Sequence, residues 1–381
     1  MQPTPFQIAF PDDIFVDLKD RLARTRWPDQ TPGEEWQYGT SLAYLKDLAN
    51  YWRDGFDWRA QETRLNRFKQ FRVPLAGIDL HFIHEQGIGP KPMPLLLSHG
   101  WPGSILEFHK IIPMLTDPAA YGGDPNDAFT VVAPSLPGYT LSFKPHQPRF
   151  GAIEIAAAFA SLMKDVLGYG RYAAQGGDWG AFVTSRLAFD HPEQLHGIHI
   201  NLLGVRRDLT LADTGTDEEK QFIKELQQFL KEETGYQAIM GTKPQTLAYA
   251  LTDSPVGLAS WIVEKFRAWS DCDGNIENVI TRDEILTNIT LYWATGAINS
   301  ASWPYYARAH GPWPIPHGMR VEVPTAYAAF PKEILRPPRS IAERFYNIQR
   351  WTTMLKGGHF AALEQPQLLA EDIREFFRKF R

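Results

Sequence analysis

The stretch Gly176-Gly177-Asp178-Trp179-Gly180 decides how the rest of this 381-residue chain is interpreted. Glycines on both sides of a central residue are typical of a tight strand-to-helix turn that exposes that residue. Serine usually occupies the centre of such a turn, whereas this chain carries Asp178. A carboxylate held there can attack carbon directly and form an enzyme-bound ester, which suits electrophiles such as epoxides and alkyl halides. Without its surroundings, the same run would indicate only a plain turn.

Composition indicates a globular protein of ordinary charge. Hydrophobic residues make up 44% of the sequence and charged residues 22%, as in typical globular proteins. The net charge of −5 gives no reason to expect a nucleic acid partner. The lone cysteine, Cys272, excludes an internal disulfide and a cysteine-rich metal site. Neither a signal peptide nor a membrane-spanning apolar run is recognisable, so we expect a cytoplasmic protein without a membrane anchor.

Strand and helix patterns alternate through the middle of the chain. Short apolar runs are each followed by a stretch of helical periodicity, and they lie at residues 95–97, 129–133, 172–175 and 196–202. This alternation predicts an α/β protein with a doubly wound, mostly parallel sheet. In such a sheet the functional residues lie at the carboxyl ends of the strands, where the Asp178 turn also falls.

Changes in periodicity predict four segments. Residues 1–75 contain short helical patterns with too few apolar positions for a core, so we expect an N-terminal helical meander packed on a larger body. Residues 76–203 form the first part of the α/β core. Helical patterns alone fill residues 204–315, which predicts an α-helical lid inserted over the sheet. Residues 316–381 return to strand and helix and complete the core.

A nucleophilic aspartate needs a base and an acid that orients the base. His359 follows a double glycine, after the last strand and before the last helix, and this position makes it the candidate base. The orienting acid should follow the strand predicted over residues 321–327, and Glu333 is the best-placed carboxylate. Glu322 would lie inside that strand, and Glu343 would lie on a later helix. A solvated loop carboxylate is the alternative interpretation of Glu333.

The run His99-Gly100-Trp101-Pro102-Gly103 follows the first buried strand, where this type of sheet carries an oxyanion donor. We expect the backbone N–H groups of Trp101 and Trp179 to form an oxyanion hole. The run could also be no more than a tight turn with a cis Trp101–Pro102 bond. The sequence has no Gly-x-Ser-x-Gly, so a serine hydrolase would lack its nucleophile.

Taken together, these motifs resemble the α/β-hydrolase-fold epoxide hydrolases of the microsomal and juvenile-hormone type. The resemblance extends over nearly the whole chain, and the combination of motifs is specific although each motif alone is weak. Besides the runs around Trp101, Asp178 and His359, the matching stretches are Arg26-Trp27-Pro28, Tyr51-Trp52-Arg53, Pro134-Ser135-Leu136-Pro137-Gly138-Tyr139, Thr242-Lys243-Pro244 and Asp253-Ser254-Pro255-Val256-Gly257.

The resemblance implies roles that spacing cannot show. In this family two lid tyrosines hydrogen-bond the epoxide oxygen, and the motif matches place them at Tyr236 and Tyr306, with Tyr305 adjacent to the second. Asp178 would form a covalent ester, and water activated by His359 would hydrolyse it to a vicinal diol. The implied partners are a small hydrophobic epoxide and water. No metal or organic cofactor is required, and whether the chain forms a homo-oligomer is left open.

Two other functions compete with epoxide hydrolysis at this point. A haloalkane or haloacid dehalogenase would use the same Asp178 and His359 but would need halide-binding donors instead of a tyrosine pair. A non-catalytic interaction protein could also use a hydrolase scaffold, although the retained nucleophile, base, acid and donor loops argue against it. The sequence does not indicate which epoxide is preferred, which carbon is attacked or how enantioselective the reaction is.

Overall fold

The computed structural model describes residues 2–204 and 215–381 of the chain. In this part of the chain nine strands form one sheet, and their bounds are β1 Thr4–Phe6, β2 Gln70–Leu75, β3 Ile78–Glu85, β4 Met93–Ser98, β5 Phe129–Pro134, β6 Tyr172–Gly176, β7 Leu195–Ile200, β8 Val321–Ala329 and β9 Tyr346–Thr353. Their order across the sheet is β1-β2-β3-β5-β4-β6-β7-β8-β9. Along this order, every pair of neighbours from β5 through β4 to β9 is parallel. The pairs β1–β2, β2–β3 and β3–β5 are antiparallel.

Helices pack on the sheet in two groups. In one group, α5 (Ala152–Ser161) packs against α6 (Asp178–Asp190), and α6 in turn contacts β4, β6, β7 and β8. The other pairs α4 (Ile111–Thr116) with α16 (Pro366–Phe377), which also contacts β7 and β8. Because helices cover the sheet, β5 and β6 are buried along their whole length, as is usual for parallel strands. The predicted α/β architecture with a mostly parallel sheet is confirmed.

The N-terminal segment is not purely helical. It contains the helices α1 (Asp12–Ala23), α2 (Leu42–Asp54) and α3 (Trp58–Leu65), but it also contains β1, which pairs with β2 at the sheet edge. These two strands cover β3, which therefore lies inside the sheet. The helices α1 and α2 contact the predicted lid insertion, and the indole of Trp52 donates to Thr290 Oγ1 within it at 3.0 Å.

Only helices are seen between β7 and β8 in the described residues. The longer ones are α7 (Asp217–Glu232), α9 (Pro244–Asp253), α10 (Pro255–Trp269) and α11 (Arg282–Thr295), and the shorter ones are α8 (Gly235–Met240), α12 (Ile298–Ala301) and α13 (Trp303–His310). Thr281 and Glu284 form a capping box that fixes the start of α11. Residues 205–214 of the predicted lid insertion lie outside the described residues.

The chain closes with α14 (Arg339–Phe345), β9, α15 (Ala361–Glu364) and α16. None of the helices in the described ranges is long and apolar enough to cross a membrane. Among the same residues, no group of three or more His, Cys, Asp or Glu side chains is arranged to hold a metal ion.

Candidate active site

Asp178 lies at the sharp turn between β6 and α6. Its backbone adopts φ +46°, a left-handed conformation that is strained for a residue with a side chain. The flanking glycines are required by close backbone contacts. A Cβ on Gly176 would lie 2.2 Å from the carbonyl oxygen of Gly180, and one on Gly180 would lie 1.9 Å from that of Ser98. The sequence Gly-x-Asp-x-Gly therefore holds the carboxylate out at the carboxyl edge of the sheet.

The loop after β4 approaches the carboxylate of Asp178 directly. The backbone N–H of Trp101 donates to Asp178 Oδ1 at 2.7 Å. A Cβ on Gly100 would lie 2.2 Å from the same oxygen, so only glycine permits this approach. Trp179 is in the first turn of α6, where backbone N–H groups have no partner within the helix. Of the two predicted oxyanion donors, Trp101 therefore contacts the Asp178 carboxylate through its N–H, and Trp179 follows Asp178 directly in the chain.

A buried histidine–glutamate pair faces Asp178. His359 Nε2 lies 3.3 Å from Asp178 Oδ2, and His359 Nδ1 lies 2.6 Å from Glu333 Oε1. The exposed fractions of His359 and Glu333 are 4% and 3%. Burial alone would lower the pKa of His359, but Glu333, together with Asp178, holds that pKa well above its usual range. The imidazole is therefore held between two carboxylates.

Glu364, which the sequence analysis did not identify, holds the loop that carries His359. Its carboxylate accepts three backbone N–H bonds at 2.8–2.9 Å, from Asp271, Gly358 and Phe360. Burial raises the pKa of Glu364 to about 7 against the opposing effect of these donors. The only sequence signal was a carboxylate five residues after the candidate base. Its contacts fix the backbone on both sides of His359.

A second residue missed by the sequence analysis, Glu107, lies beside the pair. It lines a cavity of about 10 Å³ together with Asp178 and His359, and this volume is about that of one water molecule. Burial raises the pKa of Glu107 to about 8, and the negative charge of Asp178 adds to the shift. This shift favours the protonated form of Glu107, and a protonated carboxyl can donate a hydrogen bond.

Two buried tyrosines from the lid meet above these residues. Tyr236 on α8 stacks on the indole of Trp101, with ring centroids 5.3 Å apart. Tyr305 on α13 lies edge-on to both Trp101 and Trp179, at 5.8 and 4.9 Å. The centroids of the two phenol rings are 5.6 Å apart. Burial raises the pKa of the Tyr305 phenol well above its usual range, so it is a neutral donor at ordinary pH.

Tyr306, which was predicted for this position, lies elsewhere. Its ring stacks on Trp303 and His310, at 4.8 and 4.1 Å, and it lines a separate cleft of the surface. Successive residues of a helix point about 100° apart, so Tyr305 and Tyr306 cannot both face the sheet. The structure therefore places Tyr305, the adjacent tyrosine named in the sequence analysis, beside Trp101 and Trp179, and it places Tyr306 in the surface cleft.

A half-buried aspartate on a strand-to-helix turn, faced by a buried His–Glu pair on this sheet, defines an enzyme of the α/β-hydrolase class. Family models agree, because one described as "alpha/beta hydrolase fold" matches residues 93–249 and one described as "Epoxide hydrolase N terminus" matches residues 3–108. A relative from Stigmatella aurantiaca is 44% identical over 379 residues, which is 99% of this chain and 85% of the relative. Epoxide hydrolase 1 of Oryctolagus cuniculus is 39% identical over a match that spans 98% of this chain and 88% of the length of that protein. The chain belongs to the epoxide hydrolase family.

Solved structures give the same classification. The crystal structure of juvenile hormone epoxide hydrolase from Bombyx mori superposes with a TM-score of 0.87 at 31% identity, over 100% of this chain and 95% of that one. The resemblance predicted from the sequence motifs is confirmed, as is the α/β-hydrolase fold.

Proposed function

We propose that this protein converts epoxides to vicinal diols through a covalent ester on Asp178. The observation that carries the proposal is that a carboxylate, a His–Glu pair and two phenols lie close together in one largely buried site. The Asp178 carboxylate, at a strained turn, has the His–Glu pair beside it and accepts a hydrogen bond from the Trp101 N–H. The two lid phenols pack against the indole of the same Trp101. A nucleophile, a base and two neutral acids are the groups that epoxide opening and ester hydrolysis require.

In the first step Asp178 attacks one epoxide carbon. Its Oδ1 accepts the Trp101 N–H, so Oδ2 is the oxygen that forms the new C–O bond. The C–O bond of the epoxide breaks, and the leaving alkoxide takes a proton from Tyr236 or Tyr305. A phenol, with an ordinary pKa of about 10, is neutral at physiological pH and far more acidic than the alcohol it produces. The product of this step is a glycol monoester of Asp178.

In the second step His359 activates the water that hydrolyses the ester. Ionised Asp178 is one of the two carboxylates that raise the pKa of His359 in the resting enzyme. Esterification removes that negative charge, so the pKa of His359 falls, and the imidazole returns a proton to the phenolate left by ring opening and becomes available as a base. Water beside Glu107 and His359 attacks the ester carbon. The imidazole takes one proton of this water, the Trp101 and Trp179 N–H groups hold the oxyanion, and Oδ2 leaves with the diol as it takes the second proton of the water, which restores the Asp178 carboxylate.

The tyrosine assignment predicts opposite results for two neighbouring substitutions. Tyr305→Phe removes one donor to the alkoxide, and such donors are worth about 2.7–4 kcal/mol, or roughly 100- to 1,000-fold in rate. Because Tyr236 remains, we expect alkylation to slow by about 100-fold or less. Tyr306→Phe is the matched control and should leave alkylation unchanged. Stopped-flow quenching of Trp101 and Trp179 fluorescence follows this step.

The reverse pattern, with slow alkylation only in Tyr306→Phe, would restore the original sequence-based assignment. Wild-type alkylation in Tyr236→Phe, Tyr305→Phe and the double variant would remove the phenols from the mechanism. Halide release from bromoalkanes would then be the next activity to measure, since dehalogenation needs no tyrosine pair.

A further inference from the structure

The phenol of Tyr236 has a polar neighbour that the mechanism above does not use. Gln237 follows it on α8, and its side-chain Nε2 donates to Tyr236 Oη at 2.7 Å. The other end of the same amide, Oε1, accepts from Arg308 Nη2 at 2.9 Å. Arg308 belongs to α13, the helix that also carries Tyr305. One amide therefore joins a phenol of α8 to a cation of α13.

The guanidinium of Arg308 determines which way the amide of Gln237 points. A guanidinium has N–H donors and no acceptor, so only the amide oxygen can face it. The amide NH₂ group must then face Tyr236, whose oxygen accepts the hydrogen bond. A phenol has a single hydrogen, and a phenol oxygen that accepts from Gln237 does not point that hydrogen at Gln237. The amide of Gln237 therefore does not compete with the substrate for the hydrogen of Tyr236.

Arg308 also brings positive charge close to both lid phenols. Its guanidinium carbon lies 5.8 Å from the ring centroid of Tyr305 and 5.2 Å from that of Trp179. The guanidinium is partly buried against these rings, where charges interact more strongly than in water. Positive charge at this place favours the negative charge that each phenol oxygen gains as it gives up its proton.

We propose that Gln237 and Arg308 are positioning residues that direct the Tyr236 proton toward the epoxide oxygen and make the lid phenols better acids. This inference rests on the proposed role of Tyr236 as a proton donor. In this arrangement the hydrogen bonds all run in one direction. Arg308 donates to Gln237 and Gln237 donates to Tyr236, so Tyr236 would donate to the substrate.

Gln237→Glu tests this polarity with almost no change of shape. An ionised carboxylate is an acceptor only, and Arg308 would keep it ionised. The Tyr236 hydroxyl would then donate its hydrogen to the new carboxylate at position 237 and could no longer donate it to the epoxide oxygen. We expect alkylation to slow as much as in Tyr236→Phe, by up to about 100-fold. Ester hydrolysis in single turnover and the melting temperature should stay at wild-type values.

Gln237→Met separates this role from a structural one. It keeps the length of the side chain but removes both hydrogen bonds. Tyr236 therefore loses the hydrogen bond that orients its hydroxyl but gains no acceptor that competes with the epoxide. We expect a loss smaller than that of Gln237→Glu. A residue that merely tied α8 to α13 would give the opposite order, because glutamate keeps the contact with Arg308 and methionine does not.

A double-substitution cycle completes the test. Gln237→Glu should slow alkylation no further in a Tyr236→Phe background, where no phenol proton remains to be misdirected. An undiminished loss in that background, or fast alkylation by Gln237→Glu while Tyr236→Phe is slow, would overturn the inference alone. Wild-type alkylation by Tyr236→Phe itself would instead overturn the proposed role of Tyr236, and with it this inference.

Discussion

Asp178→Asn is expected to abolish the formation of diol, with a loss on the order of 10⁶-fold, as is found when a covalent nucleophile is removed. The amide keeps the shape of the side chain and can still accept the Trp101 N–H, which Asp178 Oδ1 now receives at 2.7 Å. It carries no negative charge, however, and cannot form the ester with an epoxide carbon. Steady-state production of diol from styrene oxide measures the effect.

Asp190→Asn is the matched control for this substitution. Asp190 ends the same helix, α6, and its carboxylate pairs with Arg186 far from the turn. We expect wild-type turnover from this variant. Intact-mass analysis of Asp178→Asn before and after the assay checks that the amide has not been hydrolysed back to aspartate. Turnover at the wild-type rate by a protein whose amide is intact would exclude Asp178 as the nucleophile.

His359→Gln is expected to stop the cycle at its second step. Asp178 can still attack the epoxide because the phenols and Trp101 are unchanged, but no base remains to activate water. The ester should accumulate, and the mass of the protein should rise by the mass of one epoxide. Steady-state turnover should fall on the order of 10⁴- to 10⁶-fold. His310→Gln, on the lid helix α13 and exposed, is the matched control and should turn over normally.

The outcome for His359→Gln distinguishes the two roles that a buried imidazole could have here. If the variant neither alkylates nor turns over, His359 is needed for the first step or for the shape of the site. If it turns over like the wild type, the base lies elsewhere. Only alkylation without hydrolysis fits a base that acts on the ester.

The sequence was most informative where a local pattern determines a position on the sheet. Gly176 and Gly180 are both needed for the turn that presents Asp178, so their spacing could be recognised without a structure. The order of nucleophile, acid and base along an α/β sheet likewise pointed to Glu333 and His359. The structure brings His359 to 3.3 Å from Asp178 and to 2.6 Å from Glu333.

The sequence was less informative where the rotation of a helix decides the outcome. Tyr305 and Tyr306 are both aromatic, and the motif that contains them does not indicate which one faces the sheet. Packing against Trp101 and Trp179 selects Tyr305, and this contact joins the lid to loops more than 100 residues earlier in the chain. The strand β1 escaped prediction for a similar reason, since three residues pair with β2 without any periodicity of their own.

Buried polar groups were the other feature that the sequence did not reveal. Glu107 and Glu364 look like ordinary helical carboxylates in the sequence, yet Glu107 lines the cavity beside His359 and Glu364 is buried against the loop that carries His359. The half-buried Gln237 was not recognised either, because its significance depends on Arg308, a residue 71 positions away. Such contacts depend on tertiary packing, and no spacing rule predicts them.

A single turnover in oxygen-18 water tests the covalent ester most directly. With enzyme in excess over epoxide, water attacks the carboxyl carbon of Asp178, so the diol leaves with an unlabelled oxygen from the enzyme. The label should appear in the Asp178 carboxylate after that turnover and enter the diol only in later ones. Prompt incorporation of oxygen-18 into the diol of the first turnover would show direct attack of water on the epoxide and contradict the mechanism.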